Sequence, residues 1–162
     1  MIKSSKRSGG VTLLMAVYLL ALVSSFYALG LNLFAGQTHA FFFGLLVDNF
    51  YFTLLMGLAL IAVHSVILYG LFNRKSFTPD LLIGLNAYIL VNVVALFGTL
   101  VFTPEVFLSL YVEMPEMDPV FLLPFIRVIL VFTVLISIII SGLIIWYAWY
   151  LKKNKIYFWG KK

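Results

Sequence analysis

One uninterrupted apolar run fixes the fold class before anything else is read. Between Arg127 and Trp146 the chain is Leu, Ile, Val and Phe almost throughout, broken only by Thr133, Ser137, Ser141 and Gly142. A helix of about 20 apolar residues covers a hydrocarbon core of roughly 30 Å, and Trp and Tyr collect where that core meets the headgroups. Trp146, Tyr147, Trp149 and Tyr150 close the run, and Lys152, Lys153 and Lys155 follow it. Counting back about 20 residues from Trp146 places Arg127 at the opposite boundary.

Three earlier runs have the same character, so the chain reads as four spans over about residues 11–34, 50–72, 79–102 and 124–150. Of its 162 residues 64% are hydrophobic and only 10% charged, with a mean hydropathy of +1.11. That leaves no room for a separate soluble domain. The expectation is an all-α integral membrane protein, a single transmembrane domain over residues 1–162. The first run exceeds the about 7–15 residues of a cleaved signal's apolar region, which makes it an uncleaved span. Cysteine is absent, which excludes disulfides, thiolate metal sites and Cys nucleophiles.

The connections are short. Residues 35–49 are apolar in the middle and polar at both ends, too short to cross, and read either as an interfacial segment or as the first turns of the next helix. Residues 73–80 form the sharpest break: Thr78, Pro79 and Asp80 match an N-cap, a first helical proline and a carboxylate favoured at a helix N-terminus. Thr103, Pro104 and Glu105 repeat that signal. A short amphipathic interfacial helix is therefore expected over residues 104–114, in an acidic second outer loop carrying Glu105, Glu113, Glu116 and Asp118. Asp118 and Pro119 cap the last span, and Pro124 falls in its early turns, where it can bend the helix.

Within the spans, small and mildly polar residues recur at helical spacing. Tyr18, Ala21, Ser25, Ala28 and Asn32 share one face of the first; Thr53, Gly57 and His64 one face of the second; Gly84, Tyr88, Asn92, Ala95 and Thr99 one face of the third. Helices in lipid associate through close packing and polar contacts, so these faces are expected inside the bundle. Lys3, Lys6, Arg7, Arg74, Lys75 and every lysine after Leu151 lie on one side of a four-span arrangement, whereas Asp48 and the four loop acids lie on the other. Lys and Arg collect in cytoplasmic loops, which puts both termini inside. The net charge of +5 thus points to anionic lipid at Lys152, Lys153 and Lys155, and not to nucleic acid.

Two stretches carry a family resemblance: residues 71–79, Leu-Phe-Asn-Arg-Lys-Ser-Phe-Thr-Pro, and residues 144–156, Ile-Ile-Trp-Tyr-Ala-Trp-Tyr-Leu-Lys-Lys-Asn-Lys-Ile. Together they resemble the small four-span bacterial membrane proteins grouped as domain of unknown function 2569. That family's last span closes with Ile-Trp, an aromatic pair and a basic Ser-Lys-Arg-Val-like segment. Here Lys153 stands where its serine is usual, and Lys155-Ile156 where Arg-Val is usual. The resemblance implies a bacterial inner membrane and no particular chemistry.

Few residues are candidates for more than architecture. An ionisable group near hydrocarbon is a functional candidate, so Arg127 comes first, either paired with Glu113 or Glu116 at the outer interface or free for a solute. His64 lies near the middle of its span. With His39 outside the span there is no second histidine ligand, so a hydrogen-bonded structural role is expected, with Ser25 or Asn92 as partner. Asn32, Asn86, Asn92, Thr99, Ser137 and Ser141 either glue helices or line a polar path. No zinc-protease motif, phosphate-binding glycine loop or carboxylate pair in a span is present. The expected function is therefore non-enzymatic and free of cofactors: an accessory or scaffold subunit binding a partner membrane protein or a second copy. The alternative is a small transporter or channel for a polar or anionic solute, with Arg127 as its contact.

Overall fold

The computed structural model describes residues 9–34, 39–42, 45–102 and 119–154. Within them lie α1 (Gly9–Phe34), a ribbon of β1 (His39–Phe42) and β2 (Leu45–Asp48), α2 (Phe50–Phe72), α3 (Thr78–Phe102) and α4 (Pro119–Asn154). Each helix contains a stretch long and apolar enough to cross a membrane. The expected interfacial helix over 104–114, and Glu113 and Glu116 with it, lie outside the described residues.

Each boundary has a local cause. Asn49 caps α2, its side-chain oxygen accepting from the Phe52 amide at 2.9 Å, one of the donors a helix start leaves unpaired. At the other end Asn73 donates its backbone N–H to the Tyr69 carbonyl at 2.9 Å, and the Lys75 N–H reaches the Gly70 carbonyl at 2.9 Å. With Arg74 between them at φ 53°, this is a Schellman ending whose left-handed position is held by an arginine instead of glycine. α3 starts one residue away from expectation. The Phe77 carbonyl accepts from the amides of Asp80 and Leu81 at 3.1 and 3.2 Å, so Phe77 occupies the N-cap position and Thr78 is already helical. α4 begins at Pro119 and carries Pro124 inside it, five residues ahead of the span read from hydropathy.

Residues 39–42 and 45–48 pair as an antiparallel ribbon and are not the first turns of the next helix, with Phe42 opposite Leu45 and His39 opposite Asp48. Two strands alone are marginal in stability. Here the Phe42 ring packs edge-on to Phe52 of α2, centroids 5.4 Å apart, and β1 also touches α3. The sequence signal was Gly44, a turn residue between two short apolar runs.

The helices pair as α1 with α2 and α3 with α4, whereas α2 and α3 touch sparingly. Both pairs meet at one end, where the buried core gathers Tyr18 of α1, Ile67 and Leu71 of α2, Leu82 of α3, and Ile144 and Ala148 of α4. Close approach there uses glycine. A Cβ on Gly10 would run into the Tyr147 ring, and one on Gly70 into the Thr78 side chain. Among the described residues every positive charge except Arg127 lies at the same end. Lys152 pairs with Asp80, Lys153 lies 5.1 Å over the Trp149 ring, and Lys75 lies 5.8 Å from the Tyr69 centroid. Asp80 in the first turn of α3 and Lys152 and Lys153 in the last turn of α4 each complement the dipole of their own helix.

Candidate functional site

Four helices bring polar side chains to one depth. Tyr18 stands nine residues in from Gly9, His64 eight from Phe72, Asn86 eight from Thr78 and Ser141 ten from Leu151, so each lies about 12–15 Å from the basic end at 1.5 Å per residue. They line a cleft of about 210 Å³ together with Ser137 and the apolar Ile144. Asn86 donates to the Tyr18 hydroxyl at 2.7 Å and to the Leu82 carbonyl at 2.8 Å, tying α3 to α1. The Ser25 hydroxyl meets His64 Nδ1 at 3.1 Å, tying α1 to α2. The Tyr18 and His64 rings lie 5.8 Å apart, tilted by 56°.

Of the two partners expected for His64, Ser25 is the one it meets. Asn92 donates instead to the Tyr88 carbonyl of its own helix at 3.0 Å. Of the residues proposed for a polar path, Asn86, Ser137 and Ser141 come together in the cleft. Thr99 bonds back to Ala95 at 3.2 Å, and Asn32 is buried elsewhere on α1. Asn86 was singled out from sequence as helix glue or path lining, but its bond to Tyr18 was not. The readable signal was depth: both residues are nearly equidistant from the basic flank of their span. Arg127 is exposed, beside Phe97 and Val101 of α3 around a separate recess of about 290 Å³. It lies ten residues from Ser137, about 15 Å along α4. Among the described residues no three His, Asp or Glu side chains approach metal-ligand geometry.

A second recess, of about 330 Å³, lies between α2 and α3, lined by Met56, Ala59, Leu60 and Val63 of α2 and by Leu81, Gly84, Leu85, Tyr88 and the charged Asp80 of α3. The α3 stripe therefore lies differently from the sequence expectation. Gly84 is exposed and Tyr88, Asn92, Ala95 and Thr99 are half-buried, Tyr88 packing against the core, whereas the buried residues of this part of α3 are Leu82, Leu85 and Asn86. A Cβ added to Gly84 would meet nothing within 4 Å. Glycine in a helix interior costs roughly 0.5–1 kcal/mol against alanine, and no contact among the described residues requires it there.

Among the described residues these features define four helices long and apolar enough to be transmembrane, with a polar cleft between them and a largely apolar groove between α2 and α3. No family model, curated protein or solved structure matches the chain.

Proposed function

We propose that the protein is a non-enzymatic, multi-pass membrane protein of the bacterial inner membrane that works as an accessory or scaffold subunit, seating a transmembrane helix of a partner in the α2–α3 groove. The observation that carries this is the exposed Gly84, which with Ala59 lines a largely apolar groove that Asp80 also borders. In lipid a neighbouring helix associates by backbone approach over small residues, and the groove offers that approach where the protein's own helices do not use it. The basic residues at one end support an arrangement with both termini and the Arg74 turn in the cytoplasm and with Lys152 and Lys153 against anionic headgroups. The resemblance carried by residues 71–79 and 144–156 supports the inner membrane, and the acidic 104–114 segment is assigned to the outer interface. A solute path using Arg127 is less favoured, because Arg127 and the polar cleft lie apart on α4.

The test is a differential capture from the native membrane. Gly84→Phe puts a large side chain into the groove at a position where an added Cβ meets nothing within 4 Å, and Gly142→Phe, on α4 and equally open to a Cβ, is the control. The wild type and Gly142→Phe should retain a stoichiometric companion, another membrane protein or a second copy, and Gly84→Phe should lose it. A companion retained by Gly84→Phe overturns the reading.

A further inference from the structure

The polar groups of the central cleft have more hydrogen-bonding capacity than they use. A serine hydroxyl has one proton to give, and Ser25 directs it to the Ala21 carbonyl at 2.9 Å. With that bond kept, the Ser25 oxygen accepts from His64 Nδ1, the arrangement that goes with the tautomer protonated at Nδ1. In the neutral imidazole this leaves Nε2 as a bare acceptor. Asn86 commits both amide protons, one to Tyr18 and one to Leu82, so its carbonyl oxygen has no partner among the described residues. The Tyr18 hydroxyl accepts from Asn86, and its own proton is unused. The hydroxyls of Ser137 and Ser141 are likewise without a bond among the described residues.

These atoms belong to side chains held firmly inside the bundle. Asn86 is 2% exposed, Tyr18 3%, Ser141 3% and His64 8%. Among the described residues the sealed, unpartnered polar atom is the Thr78 hydroxyl, so the unused groups of the cleft open onto the space they line. The remaining wall is apolar, with Val17, Ile89 and Ile144, no charged side chain lines it, and Ile140 at the rim is half exposed. Sites of this kind, mostly apolar with a few placed polar groups, hold small molecules in a fixed orientation.

We infer that the cleft is a binding site for a small, uncharged molecule with an apolar body and a hydroxyl group, of the phenol or short-alcohol class. One hydroxyl meets both needs of the wall. Its proton goes to His64 Nε2 or the Asn86 oxygen, and its oxygen accepts from Tyr18. A charged ligand would find no counter-ion there, and a hydrocarbon would leave every one of these groups unpaired at a cost. This site does not depend on the α2–α3 groove.

The chain has two histidines, His64 in the cleft and His39 in the ribbon, so ¹⁵N-histidine labelling in lipid nanodiscs reports on the cleft with an internal control. On titration with phenol, the His64 Nε2 resonance should shift and saturate while that of His39 stays still. Toluene, the same ring without a hydroxyl, should bind roughly thirtyfold more weakly, the equivalent of about 2 kcal/mol for two net hydrogen bonds. Because the chain has no cysteine, Ser137→Cys can be folded first and then filled by a small methanethiosulfonate. The unmodified variant should keep the phenol response and the modified one should lose it. Equal responses to phenol and toluene, no saturable response to either, or a response that survives the thiol modification each overturn the assignment.

Discussion

At Thr78 a single side chain records how tightly two helices meet. It has no exposed surface, its hydroxyl has no hydrogen-bond partner among the described residues, and it presses on Gly70, where no Cβ would fit. A buried hydroxyl left without a partner costs about 1–3 kcal/mol. Thr78→Val keeps the branched shape and removes that cost, so it should stabilise the protein by about 1 kcal/mol, read as a raised thermal midpoint in detergent micelles. A lowered midpoint would mean that the hydroxyl is bonded after all. From sequence, Thr78 reads as the cap of α3, because Thr before Pro and Asp is the usual start signal. The Phe77 carbonyl takes that place instead, since the Thr78 side chain is turned inward to α2. Capping residues are readable one helix at a time, whereas the partner that displaces a cap comes from another helix.

Among the elements, α2 ends with a conformation that its sequence does not favour. Arg74 at φ 53° occupies a region costing L-residues roughly 1–2 kcal/mol, and glycine adopts it freely. Arg74→Gly should therefore raise stability by about 1 kcal/mol in detergent, with the Schellman bond to Gly70 retained; an unchanged or lower stability would show that the guanidinium contributes a compensating contact. The four helices themselves were legible because length and apolarity suffice to identify them. What hydropathy did not disclose is which side of a helix packs. In a helix that is apolar all round, Leu82 and Leu85 can form the buried face while the small-residue stripe beginning at Gly84 lies at a groove. The β1–β2 ribbon was missed for a related reason: four-residue strands carry little periodicity, and this ribbon rests on Phe52 of the following helix. In the cleft, His64 and Ser25 could be paired from sequence by composition alone, but Tyr18 with Asn86 required comparing depths across helices.

For the whole molecule, both helix pairs converge at the basic end, and the orientation follows from which leaflet that end meets. Ser76→Cys, in the exposed turn between α2 and α3, should react with an impermeant thiol reagent only after lysis. Leu45→Cys, exposed in the ribbon, should react in intact cells. Labelling of Ser76→Cys from outside would reverse the proposed topology. The length of α4 has a separate consequence. From Arg127 to Trp146 the helix advances 19 residues, about 28 Å against roughly 30 Å of hydrocarbon. Its charged and aromatic ends therefore reach the two headgroup layers without a steep lean, and mismatch would cost fractions of a kcal/mol per Å. A protein built this way partitions by thickness: in a membrane of mixed acyl chains it should spread through patches of ordinary depth, and those with the longest lipids should exclude it.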